Sequence, residues 1–172
     1  MIFAYDTESA ILGAAALVNT AARRAEGLPD TPALDRFVVA EKWSGMRSGD
    51  VQELDRVREL RPVLRQFWEL DEPGAVDLVN RLLREARALP QLVKHDDWDW
   101  HLHAAGPEAD LPTRMSVEAA MAMIDVIRTK EMSRLRVCAA EDCDAVIVDL
   151  SKNRSKRYCD VGNCGNRATV AA

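Results

Sequence analysis

Apolar residues recur at helical spacing through most of the first half of the chain. Ile11, Ala14, Ala15, Leu17 and Val18 form one face of a helix expected from Thr7 to about Ala25. Gly27, Pro29 and Asp30 break it. A second helix is expected with Thr31 as its N-cap and Pro32 at the first helical position. Leu34, Phe37 and Val38 carry its stripe, and Ser44-Gly45 ends it. A third begins at Asp50, where Glu53 completes a capping-box pattern. Its apolar stripe is Val51, Leu54, Val57, Leu60, Leu64, Phe67 and Trp68, with Pro62 marking a kink or break. Asp71, Pro73 and Gly74 precede a fourth helix with Val76, Val79, Leu82, Leu83, Ala86 and Leu89 inward, which Pro90 stops.

The period then changes. From Gln91 to His103, Trp98, Trp100 and Leu102 alternate with polar residues, which predicts a β-hairpin. A loop with Gly106, Pro107 and Pro112 leads to a long helix from about Ser116 to Arg134, with Val117, Ala120, Met121, Ile124 and Ile127 on one face. That helix runs directly into Cys138 and is expected to carry the module that follows. Ala145 to Leu150 is β-branched and apolar, so it reads as a strand. Ser151 to Ser155 is a turn, Arg157 to Cys159 a short return strand, and a helix starts near Cys164 with Asn166 at its cap.

All four cysteines lie in this last stretch: Cys138, Cys143, Cys159 and Cys164. Four residues separate the members of each pair, and fifteen separate the pairs. Two close pairs joined by a loop suit a tetrahedral Zn²⁺ held by four thiolates, each pair giving two ligands from one turn. Disulfides or free thiols are the competing readings. A disulfide scaffold would spread its bridges through a small exported domain. Here Ile11 to Val18, broken by Gly13, follows Asp6 and Glu8 and makes a poor export signal. A reducing cytoplasm is therefore expected. No apolar run reaches the roughly 18 residues of a membrane span. Four thiolates leave no open position on the metal, so the zinc is expected to be structural.

The charge is uneven. Residues 1–133 carry 16 basic and 23 acidic residues, while residues 134–172 carry 7 and 5. Lys152, Arg154, Lys156, Arg157 and Arg167 make the end locally basic, whereas the acidic body would repel nucleic acid. These cations either grip phosphates or offset the negative zinc–thiolate centre. Asn166 either caps the last helix or reads a base edge. A composition with 48% apolar and 30% charged residues excludes a largely disordered chain.

Trp98, Trp100 and His101 are the candidate lining of a ligand pocket in the body, against the alternative of two core tryptophans. His101 and His103 share one strand face, which is weak support for a second metal site without a third ligand. No nucleophile–base pair or phosphate-cradling glycine loop is present, so an enzyme is not expected.

The run Cys164-Gly165-Asn166-Arg167, with the paired cysteines and the segment from Asp149 to Cys159, resembles the CGNR zinc-finger family of bacterial proteins. Their N-terminal helical domain is called ABATE. Leu17-Val18-Asn19-Thr20, Trp43-Ser44-Gly45, the arginine-rich third helix and the long helix before the finger match that domain in order. The resemblance implies a stress-responsive transcription regulator, with residues 1–134 sensing a signal or ligand and residues 135–172 forming a DNA-binding finger; a redox-responsive zinc–thiolate switch and a zinc-stabilised protein-interaction module without DNA binding are the competing readings of the residues. The expected fold is mainly α: a helical domain with a small hairpin, then a treble-clef-like four-cysteine finger of a β-hairpin plus short helix. The implied partners are double-stranded DNA and a small-molecule effector; one small basic module would bind DNA weakly, so a homodimer placing two fingers on two half-sites is expected. Family chains continue past the finger into a basic helix, and this one stops at Ala172, so a truncated C-terminus is expected.

Overall fold

The computed structural model describes residues 2–22, 26–94, 99–106 and 108–170, save the side chain of residue 170. The helices are α1 (Tyr5–Asn19), α2 (Thr31–Ala40), α3 (Val51–Arg65), α4 (Glu72–Glu85), α5 (Leu111–Arg128) and α6 (Cys164–Val170). Two antiparallel hairpins interrupt them, β1 (Gln91–Val93) with β2 (His101–His103) and β3 (Leu135–Val137) with β4 (Val146–Val148). Helix α5 is central, and α1, α3 and α4 all pack on it. Ile11, Leu17, Leu34, Val57, Leu64, Met115 and Met123 fill the space between them and are fully buried.

The helices start where their caps put them. Asp30, Asp50, Asp71 and Asp110 each accept a hydrogen bond from the backbone N–H three residues on. Asp30 therefore takes the capping role expected of Thr31, which lies inside α2 with Pro32. Asp110 starts α5 five residues before Ser116, and Pro112 falls in its first turn rather than in a loop. Glu53 reaches back beyond its own cap: its buried carboxylate accepts from the N–H groups of Ser48 and Gly49 and from Arg47. Pro62 lies within α3 and leaves it one helix.

Three helix ends differ from expectation for one shared reason. Lys42, Arg87 and Lys130 adopt left-handed conformations with φ of 56°, 50° and 60°. Each lies just past its helix, at the position usually held by glycine. The N–H of the next residue bonds back five residues: Trp43 to Val38 O, Ala88 to Leu83 O and Glu131 to Val126 O. These closures stop α2 before Ser44-Gly45, α4 before Pro90 and α5 before Arg134. Leu89 is 68% exposed and Val76 37% exposed, so neither belongs to the inward face of α4. Helix α1 likewise ends at Asn19, not near Ala25.

The shortened α5 frees Leu135–Val137 to become β3, the true partner of β4. Leu135 faces Val148, Arg136 faces Ile147 and Val137 faces Val146. The return strand expected at Arg157–Cys159 does not form. Its main-chain groups are used otherwise: Cys159 N–H donates to Cys138 Sγ and Arg157 O accepts from Ala139 N–H, while the preceding Lys156 N–H donates to Asp149 Oδ2.

The module does not sit mainly on the long helix either. It docks on the C-terminal end of α1 and on the 3₁₀ turn Gln66–Trp68 that follows α3. Asn19 holds both main-chain groups of Val146, donating from Nδ2 to its carbonyl (2.9 Å) and accepting its N–H at Oδ1 (2.7 Å). Trp68 Nε1 donates to Ile147 O at 2.9 Å, and Arg65 Nη1 to Asp144 O at 2.9 Å. Val146 and Val148 enter the helical core, while Ala145 and Ile147 face the cysteines.

Two stability changes follow. Asn19→Ala leaves two main-chain groups of β4 without partners, and urea unfolding will show a loss of about 2 kcal/mol. Arg87→Gly removes a left-handed side chain whose backbone strain costs about 1 kcal/mol, and the same measurement will show a gain of that order.

Candidate metal centre

Cys138 and Cys143 flank the loop between β3 and β4, and Cys159 and Cys164 flank the loop that enters α6. All four are buried and none is in a disulfide. Their sulfurs lie within 4.8 Å of one another. Cys143 and Cys159 Sγ are 3.5 Å apart, and Cys159 and Cys164 Sγ 3.6 Å. Tetrahedral Zn–S bonds of about 2.3 Å place sulfurs about 3.8 Å apart, so the quartet fits one zinc ion. All four positions on the metal are then filled by protein, which makes the ion a structural cross-link. It ties β3 and β4 to α6 in a region whose own apolar cluster, beyond the cysteines, is Ala22, Ala145 and Ile147 with Ala140 and Tyr158 against it.

The thiols are not equivalent. Burial pushes Cys143 up and Cys159 up to about 12. Cys164 is brought down to about 7, chiefly by the guanidinium of Arg167, whose Nη2 donates to its sulfur at 3.1 Å. Arg167 also forks onto Asp142, at 2.7 and 3.0 Å. Asp142 belongs to the first cysteine loop and Arg167 to α6, so this arginine braces both halves of the centre and neutralises part of its charge.

The other basic residues are arranged differently. Lys152 and Arg157 are exposed and make no ion pair among the described residues. Arg154 pairs with Glu131 at 3.0 Å and Lys156 with Asp160 at 2.7 Å, both partly exposed. Arg154 is held in a left-handed conformation, φ 52°, at the tip of the Ser151–Arg157 loop. Asp149 anchors that loop from below: fully buried, it accepts from Ser151 N–H and Oγ and from Lys156 N–H, and lies beside Arg136. Asn166 falls inside the first turn of α6, so it does not cap that helix.

The expected pocket lining is dispersed. Trp98 lies outside the described residues. Trp100 is 67% exposed on the hairpin and is not among the residues that line the cleft beside His101. His101 is 9% exposed and lines a cleft between α1, the turn after α2, β2 and α5, together with His103, Trp43 and Arg114. His101 Nε2 and His103 Nε2 are 3.0 Å apart, and His103 Nδ1 meets Glu118 Oε1 at 2.7 Å. Among the described residues no third ligand joins the two histidines as a metal cluster. The sequence reading missed Arg114 and Trp43 as cleft residues. The available signal was an arginine in the first turn of a helix, where the positive helix end disfavours a cation.

Removing the brace isolates its role. Arg167→Ala will release zinc to a chelator at least tenfold faster than the unmodified chain, read with a chromogenic zinc indicator, while Lys152→Ala will leave the rate unchanged.

Residues 14–130 match the ABATE family, whose description is "Putative stress-induced transcription regulator". Residues 134–172 match the CGNR zinc finger. No curated protein shows significant similarity to the chain. With the greater part of its length covered by the first match, and the four-cysteine centre within the second, the chain belongs to the ABATE family and ends in a CGNR zinc finger.

Proposed function

We propose that this zinc-binding chain is a cytoplasmic transcription regulator that grips duplex DNA with the 151–157 loop of its finger, and that residues 1–134 form a sensing domain without enzymatic activity. The observation that carries the DNA reading is the exposure of Lys152, Arg154 and Arg157 on one short loop, fixed from beneath by buried Asp149. A backbone-gripping element needs cations that face outward on a rigid support. The exposed pairs Arg154–Glu131 and Lys156–Asp160 are worth at most about 1 kcal/mol each, so phosphate oxygens displace the carboxylates readily. Arg167 is excluded from the gripping set, because it is committed to Asp142 and Cys164. Four phosphate contacts from one finger bind weakly, and a homodimer placing two fingers on two half-sites supplies the rest.

The test is fluorescence anisotropy with mixed-sequence duplex DNA and the full zinc-loaded chain. Four contacts from one finger give a salt slope near −3.6, so affinity falls about a hundredfold between 50 and 200 mM salt, and engagement of both fingers of a dimer about doubles the slope. Lys152→Ala with Arg157→Ala lowers that slope by about two. Absence of binding at 50 mM salt sinks the reading and leaves the finger as a zinc-stabilised protein-interaction module.

A further inference from the structure

Arg114 Nε, Arg114 Nη2 and Trp43 Nε1 are the buried side-chain nitrogen and oxygen atoms that, among the described residues, have no hydrogen-bond partner. They come from two residues, and both line the same cleft. We propose that this cleft, between α1, the turn after α2, β2 and α5, binds a small monocarboxylic acid, with Arg114 and Trp43 as donors to the carboxylate.

The chemistry of the three atoms selects the ligand. All three are donors, so the missing partner is an acceptor. Nε and Nη2 form one edge of the guanidinium, where two parallel N–H groups match the two oxygens of a carboxylate. The opposite end of the group is fixed, because Nη1 donates to Ala109 O. A buried cation edge without a partner is costly, and burial pulls the Arg114 guanidinium below its usual range. Asp110 and Glu53 lie near enough to act on it electrostatically, yet neither bonds it: Asp110 pairs with Arg56 and Glu53 with Arg47. Gly45 lies close against the guanidinium. Its φ is +93°, and a side chain there would begin 3.0 Å from Arg114 Cζ and Nε.

The remaining walls limit the size and charge of the acid. The cleft encloses about 110 Å³. A cavity of roughly 150 Å³ accommodates benzene, so a small aliphatic acid fits within this smaller cleft and an aromatic acid extends out through its open mouth. Ala10, Gly13 and the Trp43 indole give an apolar side. Asp6, Glu41 and Glu118 also line the cleft, three acids against the cations Lys42 and Arg114, with Glu118 engaged by His103, so a second negative charge on the ligand is disfavoured.

This inference rests on the sensing role proposed for residues 1–134, although binding itself requires no DNA. The experiment is isothermal titration of the full zinc-loaded chain, without DNA, against acetate, isobutyrate, benzoate and cyclohexanecarboxylate. Benzamide and terephthalate serve as neutral and doubly charged controls. At least one monocarboxylate will bind 1:1, and its amide or dicarboxylate counterpart at least tenfold more weakly. Trp43→Phe keeps the ring and loses the N–H, and will weaken binding about fivefold. Arg114→Gln will weaken it about thirtyfold. Trp43→Phe remains decisive if Arg114→Gln does not fold, because deleting an unpartnered N–H leaves the free protein as stable as before. The proposal is overturned if none of the four acids binds below 10 mM, if benzamide matches benzoate, or if Trp43→Phe binds with unchanged affinity. Acid binding with no DNA binding overturns only the regulator reading, whereas DNA binding with no acid binding overturns only this one.

Discussion

Three residues of one strand separate two apolar cores, and the architecture depends on that partition. Val146 and Val148 enter the helical core, while Ile147 between them faces the cysteine cluster. The alternation is the period of a β-strand turned into a boundary. A short strand exposed on its far side would leave main-chain groups unpaired, and Asn19 of α1 supplies both missing partners at Val146. The finger is thereby part of the molecule's packing, held to the helices by apolar contact, by the Asn19 fork and by the Trp68 indole. Zinc stiffens one side of that strand and the helices stiffen the other.

Several basic residues divide into three kinds of work, although the sequence presents them alike. Arg167 faces inward, onto a thiolate and an acid of the opposite loop. Arg61 and Arg134 are almost buried and tie chain segments together: Arg61 with Glu26 and Thr20, Arg134 with Glu131 and the carbonyls of Asp149 and Ser151. Lys152 and Arg157 point to solvent. Net charge near the end of the chain thus overstates what is free to meet an anionic partner. Arg114 belongs to none of these groups, since its unpartnered edge lies inside the helical domain.

Much of this was legible in the residues. The cysteine spacing announced a four-ligand centre because two close pairs leave few alternatives. The helical stripes announced five body helices, and Asp50 marked the start of α3 correctly. The ends were not legible, because the usual stop signals are glycine and proline, and here Lys42, Arg87 and Lys130 take the left-handed position. That one substitution of chemistry carried α5 too far in the reading and concealed β3, and with it the real pairing of the finger hairpin. The part played by Asn19 was invisible for a different reason. A short amide at the end of a helix looks like a terminator, and only a partner 127 residues away gives it a second task.

That separation has a consequence for the order in which the molecule is made. At roughly 5–20 residues per second, the ribosome needs about 6–25 s to add the 127 residues between Asn19 and Val146. During that interval α1 has no β4 to hold, and Leu17 and Val18 await part of their packing. The helical bundle must tolerate an unfinished face until the last cysteines emerge. Val146 and Val148 can complete the helical core only once β4 has been made.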